Sequence, residues 1–231
     1  MQRARMYPRS RRLVCTLLCA CLILSWAIPG GADGPDAWLE SDEDLLGLTV
    51  NEGDLEFLLQ MPERRVLHTR NWLTITADSL DSGWVELRQC QGNLDPIDRV
   101  EIVYRYRAMR NLRVLSSRDV GSVRVASGAV QMTQVGAAAE VCIVAEVQVL
   151  RPAGEGRFVV QSGPFHRRFL DGYYPVRLDY RVVFPQGLLL LEEIQPAGQP
   201  GFEVELDAGG VQVDALFTGR LTIRLVLRRA S

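Results

Sequence analysis

The sequence predicts an all-β protein, built as an antiparallel β-sandwich with two small modules in tandem. Apolar and polar residues alternate with a period of two along most of the chain beyond Val66. Short Gly-, Pro- and Asn-rich turn signals separate these runs, and no helix of about 10 residues or more is evident after Arg65. Antiparallel sheets produce this pattern, whereas a βαβ fold would alternate strands with long helices.

The clearest strand pattern lies between Arg99 and Arg107. Val100, Ile102, Tyr104 and Tyr106 alternate with charged residues, which predicts a strand with one buried face. The same alternation recurs at 73–77, 141–149, 174–184, 202–206 and 221–227. Roughly a dozen short strands at this spacing are typical of a sandwich or barrel.

The first 32 residues have the features of a signal peptide. Five Arg precede an apolar run over 13–28, and a small-residue exit at 30–32 precedes the first acid. The run is shorter than the about 20 residues that a membrane span needs, so the sequence favours cleavage over a retained anchor. We therefore expect a periplasmic or secreted protein.

Residues 33–65 form a second segment, predicted to be an acidic linker or docking arm. Nine acids and no base occur between Asp33 and Glu56, and such blocks are usually solvated. Asn51 is placed to cap a short helix running toward Gln60. Beyond this arm we expect β modules at 66–150 and 151–231, divided by the Gly- and Pro-rich stretch 151–156. One continuous larger sandwich is the alternative.

The cysteine count agrees with export. Removal of residues 1–32 leaves Cys90 and Cys142 out of five Cys, and an oxidising compartment allows them to form a disulfide. Two free thiols are the alternative. No metal site and no cofactor are predicted, because the two His are distant from each other and no CxxC motif occurs.

Composition excludes several function classes. The 26 bases are balanced by 28 acids, which argues against a nucleic-acid partner. All the bases are Arg, so lysine chemistry and a phosphate-binding P-loop are excluded. His68 is expected to be a polar strand residue and not a general base, because no nucleophile neighbours it in sequence.

Two clusters are candidate contact surfaces. The first is an Arg-rich strand face that carries Arg105 and Arg107, with an ordinary solvated face as the alternative. The second is a loop rich in aromatic and basic residues, which recognition sites favour, with a structural corner as the alternative. The candidate binding residues of the loop are Phe165, His166, Arg167, Arg168, Tyr173 and Tyr174.

These features predict an exported, non-enzymatic binding or assembly protein of a bacterial-type cell envelope. Its partner would be a protein or a glycan, and it would contact a membrane only if the N-terminal segment is retained as an anchor. The alternative is a glycan-active envelope hydrolase with carboxylates from separate strands, although no pair of acids is singled out by the sequence.

Overall fold

The computed structural model describes residue 51 and residues 53–169 and 172–230. The predicted signal peptide and most of the acidic arm lie outside the described residues. Fifteen strands and one short helix account for the regular structure of the described part. The all-β prediction is confirmed. No helix in this part is long and apolar enough to cross a membrane.

The strands follow one another along the whole described chain. Those before the predicted boundary are β1 (Glu56–Phe57), β2 (Leu67–Thr74), β3 (Trp84–Gly92), β4 (Ile97–Val103), β5 (Met109–Ala126) and β6 (Ala129–Gln148). Those at and after it are β7 (Leu150–Pro152), β8 (Arg157–Phe165), β9 (Arg167–Phe169), β10 (Gly172–Tyr174), β11 (Val176–Val183), β12 (Leu189–Gln195), β13 (Phe202–Asp207), β14 (Gly210–Thr218) and β15 (Leu221–Arg229). The helix α1 (Ser79–Ser82) lies between β2 and β3.

A nine-stranded sheet forms one layer. Its order is β1-β14-β11-β2-β3-β6-β4, with β13 also paired to β14 and β5 also paired to β6. Its pairings are antiparallel except for β2 and β11, which run parallel from Leu67 beside Val176 to Thr74 beside Val183. This one parallel pair is a feature that the alternation of residues did not predict, because period two is the same in both kinds of sheet.

The parallel pair corrects the division into modules at 66–150 and 151–231. It joins strands from both sides of the predicted boundary, and the described residues between 51 and 230 all belong to one compact unit. Without β11, the edge of β2 would expose unpaired backbone groups, which natural sheets avoid. The stretch 151–156 is instead the end of β7 and its turn into β8. The alternative of one continuous sandwich describes this arrangement.

A four-stranded sheet, ordered β12-β15-β8-β7, forms the second layer. One core cluster contains buried side chains of both sheets, among them Leu178 of β11 and Leu225 of β15, each 0% exposed. The phenol of Tyr180 on β11 lies 3.0 Å from the hydroxyl of Ser162 on β8, and both side chains are buried. The two sheets therefore pack face to face with a shared apolar core, as in other sandwiches.

The connection between β4 and β5 covers part of this core. Tyr104 and Tyr106 are half-buried and pack against the core cluster. Burial raises the pKa of Tyr106 to about 12 and also raises the pKa of Tyr104 and of Tyr180. Desolvation disfavours the phenolate, so all three remain neutral phenols at physiological pH.

The predicted short helix from Asn51 toward Gln60 is not formed. The side-chain oxygen of Asn51 does accept a hydrogen bond from the backbone N–H of Gly53 at 2.6 Å, but Gly53 has φ of 123°, which no helix allows. Beyond it, β1 pairs with the edge of β14, and the Phe57 ring lies 5.2 Å from that of Phe202. Tertiary strand pairing and apolar burial therefore override the local capping signal.

Candidate functional site

The predicted aromatic and basic loop is a small hairpin at the surface. Its strands β9 and β10 pair antiparallel, with Arg168 opposite Tyr173 and Arg167 opposite Tyr174. Residues 170 and 171, which connect them, lie outside the described residues. A hairpin places side chains of opposite residues on the same face, so each of these Arg lies beside a Tyr.

Each tyrosine of the hairpin is flanked by two guanidinium groups. The Cζ atoms of Arg168 and Arg220 lie 5.7 and 5.9 Å from the centre of the Tyr173 ring. Those of Arg167 and Arg64 lie 5.4 and 5.7 Å from the centre of the Tyr174 ring. These distances are within the range of cation–π attraction. We call the set Arg64, Arg167, Arg168, Tyr173, Tyr174 and Arg220 the hairpin surface.

Contacts with distant segments hold the hairpin in place. Nε of Arg167 lies 3.1 Å and Nη2 lies 2.5 Å from the two carboxylate oxygens of Asp95, on the turn between β3 and β4. On the other side, the backbone N–H of Tyr173 donates to the carbonyl of Asn51 at 3.1 Å. A bidentate Arg–carboxylate contact restricts the orientation of the two side chains as well as their distance. Together with the backbone hydrogen bond of Tyr173, it fixes the hairpin at both strands.

Two glycines allow close approaches near the hairpin, one between the arm and the Tyr173 ring and the other between the turn after β14 and the arm. A Cβ atom at Gly53 would lie 3.0 Å from the Tyr173 ring, and one at Gly219 would lie 1.9 Å from the carbonyl oxygen of Asp54. Both glycines have positive φ, 123° and 84°. Only glycine combines this backbone conformation with this closeness, and the turn at Gly219 brings Arg220 to the Tyr173 ring.

Phe165 and His166 precede the hairpin and have different environments. Phe165 packs against the core, with its ring 6.1 Å from that of Tyr180. This contact agrees with the structural-corner alternative for that one residue. His166 is exposed, with its ring 5.8 Å from that of Tyr173, and it extends the hairpin surface.

Arg105 and Arg107 are exposed, as predicted, but they are not on a strand. β4 ends at Val103, and both residues lie in its connection to β5. The reason is that β6, the partner of β4, begins at Ala129 opposite Val103 and offers no further ladder positions. Within the described chain, no ion pair or ring contact joins these two Arg to the hairpin surface.

An open cleft of about 330 Å³ adjoins the hairpin surface and shares Arg64 with it. Its walls come from the segment before β2, from the start of β2, from the turn after β3 and from β11. The lining residues are Met61, Pro62, Glu63, Arg64, Arg65, Val66, His68, Asn93 and Arg177. The lining contains three Arg and one Glu, so positive charge prevails.

A row of ionisable side chains crosses the outer face of the large sheet behind the cleft. Nε2 of His68 lies 2.8 Å from Oδ2 of Asp179, and Asp179 is directly opposite Asp214 on β14. Burial raises the pKa of Asp214, the hydrogen bond from the amide of Gln212 lowers it, and the neighbouring carboxyl group of Asp179 raises it further. The carboxyl group of Asp214 therefore stays protonated to a higher pH than that of an isolated Asp.

The described residues contain no group of three or more His, Cys, Asp or Glu that could hold a metal ion. The predicted disulfide is present, between Cys90 of β3 and Cys142 of β6, which are directly opposite each other in the ladder. Both cysteine side chains are buried, with only 3% and 6% exposed. A disulfide is compatible with an oxidising, extracellular compartment.

Sequence reasoning missed Arg64, Arg220 and Asp95 as parts of the site. Each lies on a different segment, and only the folded chain brings them to the hairpin. One signal was available, because Arg64 and Arg65 are the first bases after the acidic run 33–56. An abrupt change of charge next to a predicted strand marks a surface that differs from its surroundings.

No protein-family model matches the chain, and no curated protein matches it. Solved structures similar to it include the M1 zinc metallopeptidase from Deinococcus radiodurans, at 14% identity and a TM-score of 0.36. A mutant of a two-domain M1 zinc metallopeptidase bound to L-arginine is similar at 14% identity and a TM-score of 0.38. Each comparison covers 78% of this chain and 43% of the other, so the chain spans less than half of their length. Likeness at this level carries no argument about function.

Proposed function

We propose that this protein is an exported, non-enzymatic binding or assembly protein of a bacterial-type cell envelope. It contacts a protein or glycan partner through the hairpin surface and through the loop that carries Arg105 and Arg107. The observation that carries the proposal is the pair of adjacent rings, Tyr173 and Tyr174, each flanked by two guanidinium groups at the surface.

The hairpin surface has the chemistry of a recognition site. Tyr and Arg are the residues that contribute most often to binding hot spots, because they offer a large contact area together with hydrogen-bond donors. The Tyr rings are half-buried and flanked, so little side-chain entropy remains to be lost when a partner binds. The contacts to Asp95 and Asn51 orient the surface before any partner arrives.

Two features support export. The Arg-rich, acid-free start of the chain followed by an apolar run is typical of a signal peptide, which would deliver the protein to the periplasm or the outside. The buried disulfide is typical of proteins that fold in such compartments.

The hydrolase alternative gains no support from the acids that the fold brings together. Glycoside hydrolysis uses two carboxyl groups about 5 Å or more apart, facing each other across a bound sugar. Asp179 and Asp214 are directly opposite each other on two adjacent strands, so they do not face each other across a cleft. They also lie on the face of a sheet and are not lining residues of the cleft.

The proposal is tested by comparing two double variants of the full chain. Arg168→Ala with Tyr173→Ala removes one ring and one guanidinium from the hairpin surface. Arg88→Ala with Trp72→Ala is the matched control, because it removes a cation–π pair with a separation of 5.8 Å from the large sheet. Both variants are checked for folding by circular dichroism and thermal unfolding.

Binding is measured to fractionated envelope proteins and to arrayed envelope glycans. We expect the wild-type protein and the control to bind one partner class with equal affinity. The hairpin variant should bind that partner with an affinity at least about tenfold lower, which corresponds to about 1.4 kcal/mol of binding free energy. Equal binding by all three proteins, or none by the wild type, would contradict the proposal.

A further inference from the structure

We infer that the cleft beside the hairpin surface binds an oxyanion group, namely a phosphate, sulfate or carboxylate carried by the partner. This inference deepens the proposed function, on which it rests for the identity of the carrier, because it names a chemical group that the partner must have. The cleft volume of about 330 Å³ is at the lower end of the range of small-molecule sites, which suits one anionic group with part of its carrier.

Three guanidinium groups define the electrostatic character of the cleft. Arg64, Arg65 and Arg177 line it together with a single acid, Glu63. A guanidinium presents several N–H donors in one plane, and this geometry matches the oxygens of phosphate, sulfate and carboxylate groups. A lining of three Arg and one Glu therefore favours an anionic occupant over a neutral or cationic one.

Two acids on the large sheet hold the guanidinium group of Arg177, on β11, in a defined place. Its Nε lies 3.5 Å from Asp179, and its Nη2 lies 3.9 Å from Asp214. These two acids offset part of its charge, yet neither lines the cleft. His68, which lines the cleft, also contacts Asp179, so this acid is engaged from two sides. Arg64 and Arg65 therefore contribute most of the positive electrostatic potential inside the cleft.

The wall that carries Arg64 and Arg65 is fixed by the core and by the turn after β3. Val66 is buried, and its carbonyl accepts a hydrogen bond of 3.0 Å from the side-chain amide of Asn93. Arg64 is further restricted because it stacks on the Tyr174 ring. An anion held by Arg64 would thus lie next to the hairpin surface, and a partner could occupy both at once.

The test uses the full chain with inorganic phosphate, sulfate and acetate as probes, each against chloride at constant ionic strength. Arg64→Gln with Arg65→Gln removes two charges from the cleft. Arg118→Gln with Arg124→Gln removes two exposed charges from β5, outside the cleft and outside the hairpin surface, and is the matched control. Binding is followed by calorimetry and by backbone amide shifts at His68 and Asn93.

We expect saturable binding of at least one probe by the wild-type protein and the control, with shifts at His68 and Asn93. The cleft variant should bind that probe at least about tenfold more weakly. The responding probe identifies the group as phosphate, sulfate or carboxylate. Absence of saturable binding of all three probes, or an equal loss in both variants, would overturn the inference.

The outcome is separable from that of the proposed function. If the anions fail to bind while the Tyr173 and Arg168 variant still loses the partner, the cleft inference falls and the proposed function stands. If the anions bind in the cleft while the hairpin variant retains its partner, the proposed function falls and the cleft inference stands. In the wild-type protein the amide shifts locate any bound anion directly, so the inference stays testable even if a variant folds poorly.

Discussion

Removal of the disulfide should destabilise the protein mainly through its unfolded state. Cys90 and Cys142 are separated by 52 residues, and closing a loop of this length costs the unfolded chain about 4 kcal/mol of conformational entropy. The two strands that carry them remain neighbours through a ladder of nine paired positions from Trp84 to Gly92. The fold should therefore persist without the bond, with lower stability.

Guanidinium unfolding followed by circular dichroism measures this effect. With a slope of about 4 kcal/mol per M, the loss of about 4 kcal/mol should lower the midpoint by about 1 M in the Cys90→Ala, Cys142→Ala variant. Wild-type protein reduced in denaturant and refolded under reducing conditions keeps both sulfur atoms and is the control for lost packing. A midpoint shift below about 0.3 M in both unlinked forms would refute the loop-entropy reasoning.

Three further changes test particular contacts. Asp214→Asn should stabilise the protein at pH 7, because burial and the neighbouring Asp179 raise the Asp214 pKa. The stability linked to this acid is fully present below its unfolded pKa and is lost as the pH rises through its folded pKa. Thermal unfolding of the variant at pH 7 and pH 3 should therefore show a gain in stability only at pH 7. Tyr180→Phe should cost about 1–2 kcal/mol in urea unfolding, because it leaves a buried hydroxyl on β8 without its partner, and an unchanged midpoint would contradict this. Gly53→Ala should displace the ring of Tyr173, which lies 3.0 Å from the new Cβ, and should weaken partner binding more than overall stability; binding equal to wild type would argue against a fixed hairpin.

Much of the fold was predictable because burial follows the period of a strand. Val100 and Ile102 are half-buried, and Arg99 and Glu101 are exposed, as their alternation predicts. The pattern continues through Tyr106, although the strand ends at Val103. Alternation reports which side chains face the core, whereas strand length depends on the partner strand, which no local pattern specifies.

Domain organisation was the less predictable part. The turn 151–156 resembles a linker in composition, since Gly and Pro are common in both, but here it joins β7 to β8 within one sheet. The parallel pairing of β2 with β11 joins residues more than 100 positions apart in the sequence. Such pairing depends on how both strands complete a common core, and a single sequence holds no direct record of it.

The candidate site was predicted in part. The sequence pointed to the hairpin because aromatic and basic residues cluster between two turns, and the structure stacks Tyr173 and Tyr174 with Arg167 and Arg168. The outer guanidinium groups come from Arg64 and from another distant segment, which only the tertiary fold brings close. Clusters that are local in sequence can be recognised early, and those assembled from several segments cannot.

Crosslinking in living cells tests most directly whether the hairpin surface is the partner-binding site. A photoreactive amino acid is placed at the exposed position Arg168, and in a control at the exposed position Arg99 on β4. The proposed function predicts a discrete crosslinked protein or glycan from Arg168 and none of the same size from Arg99. No crosslink from Arg168, or the same products from both positions, would contradict it.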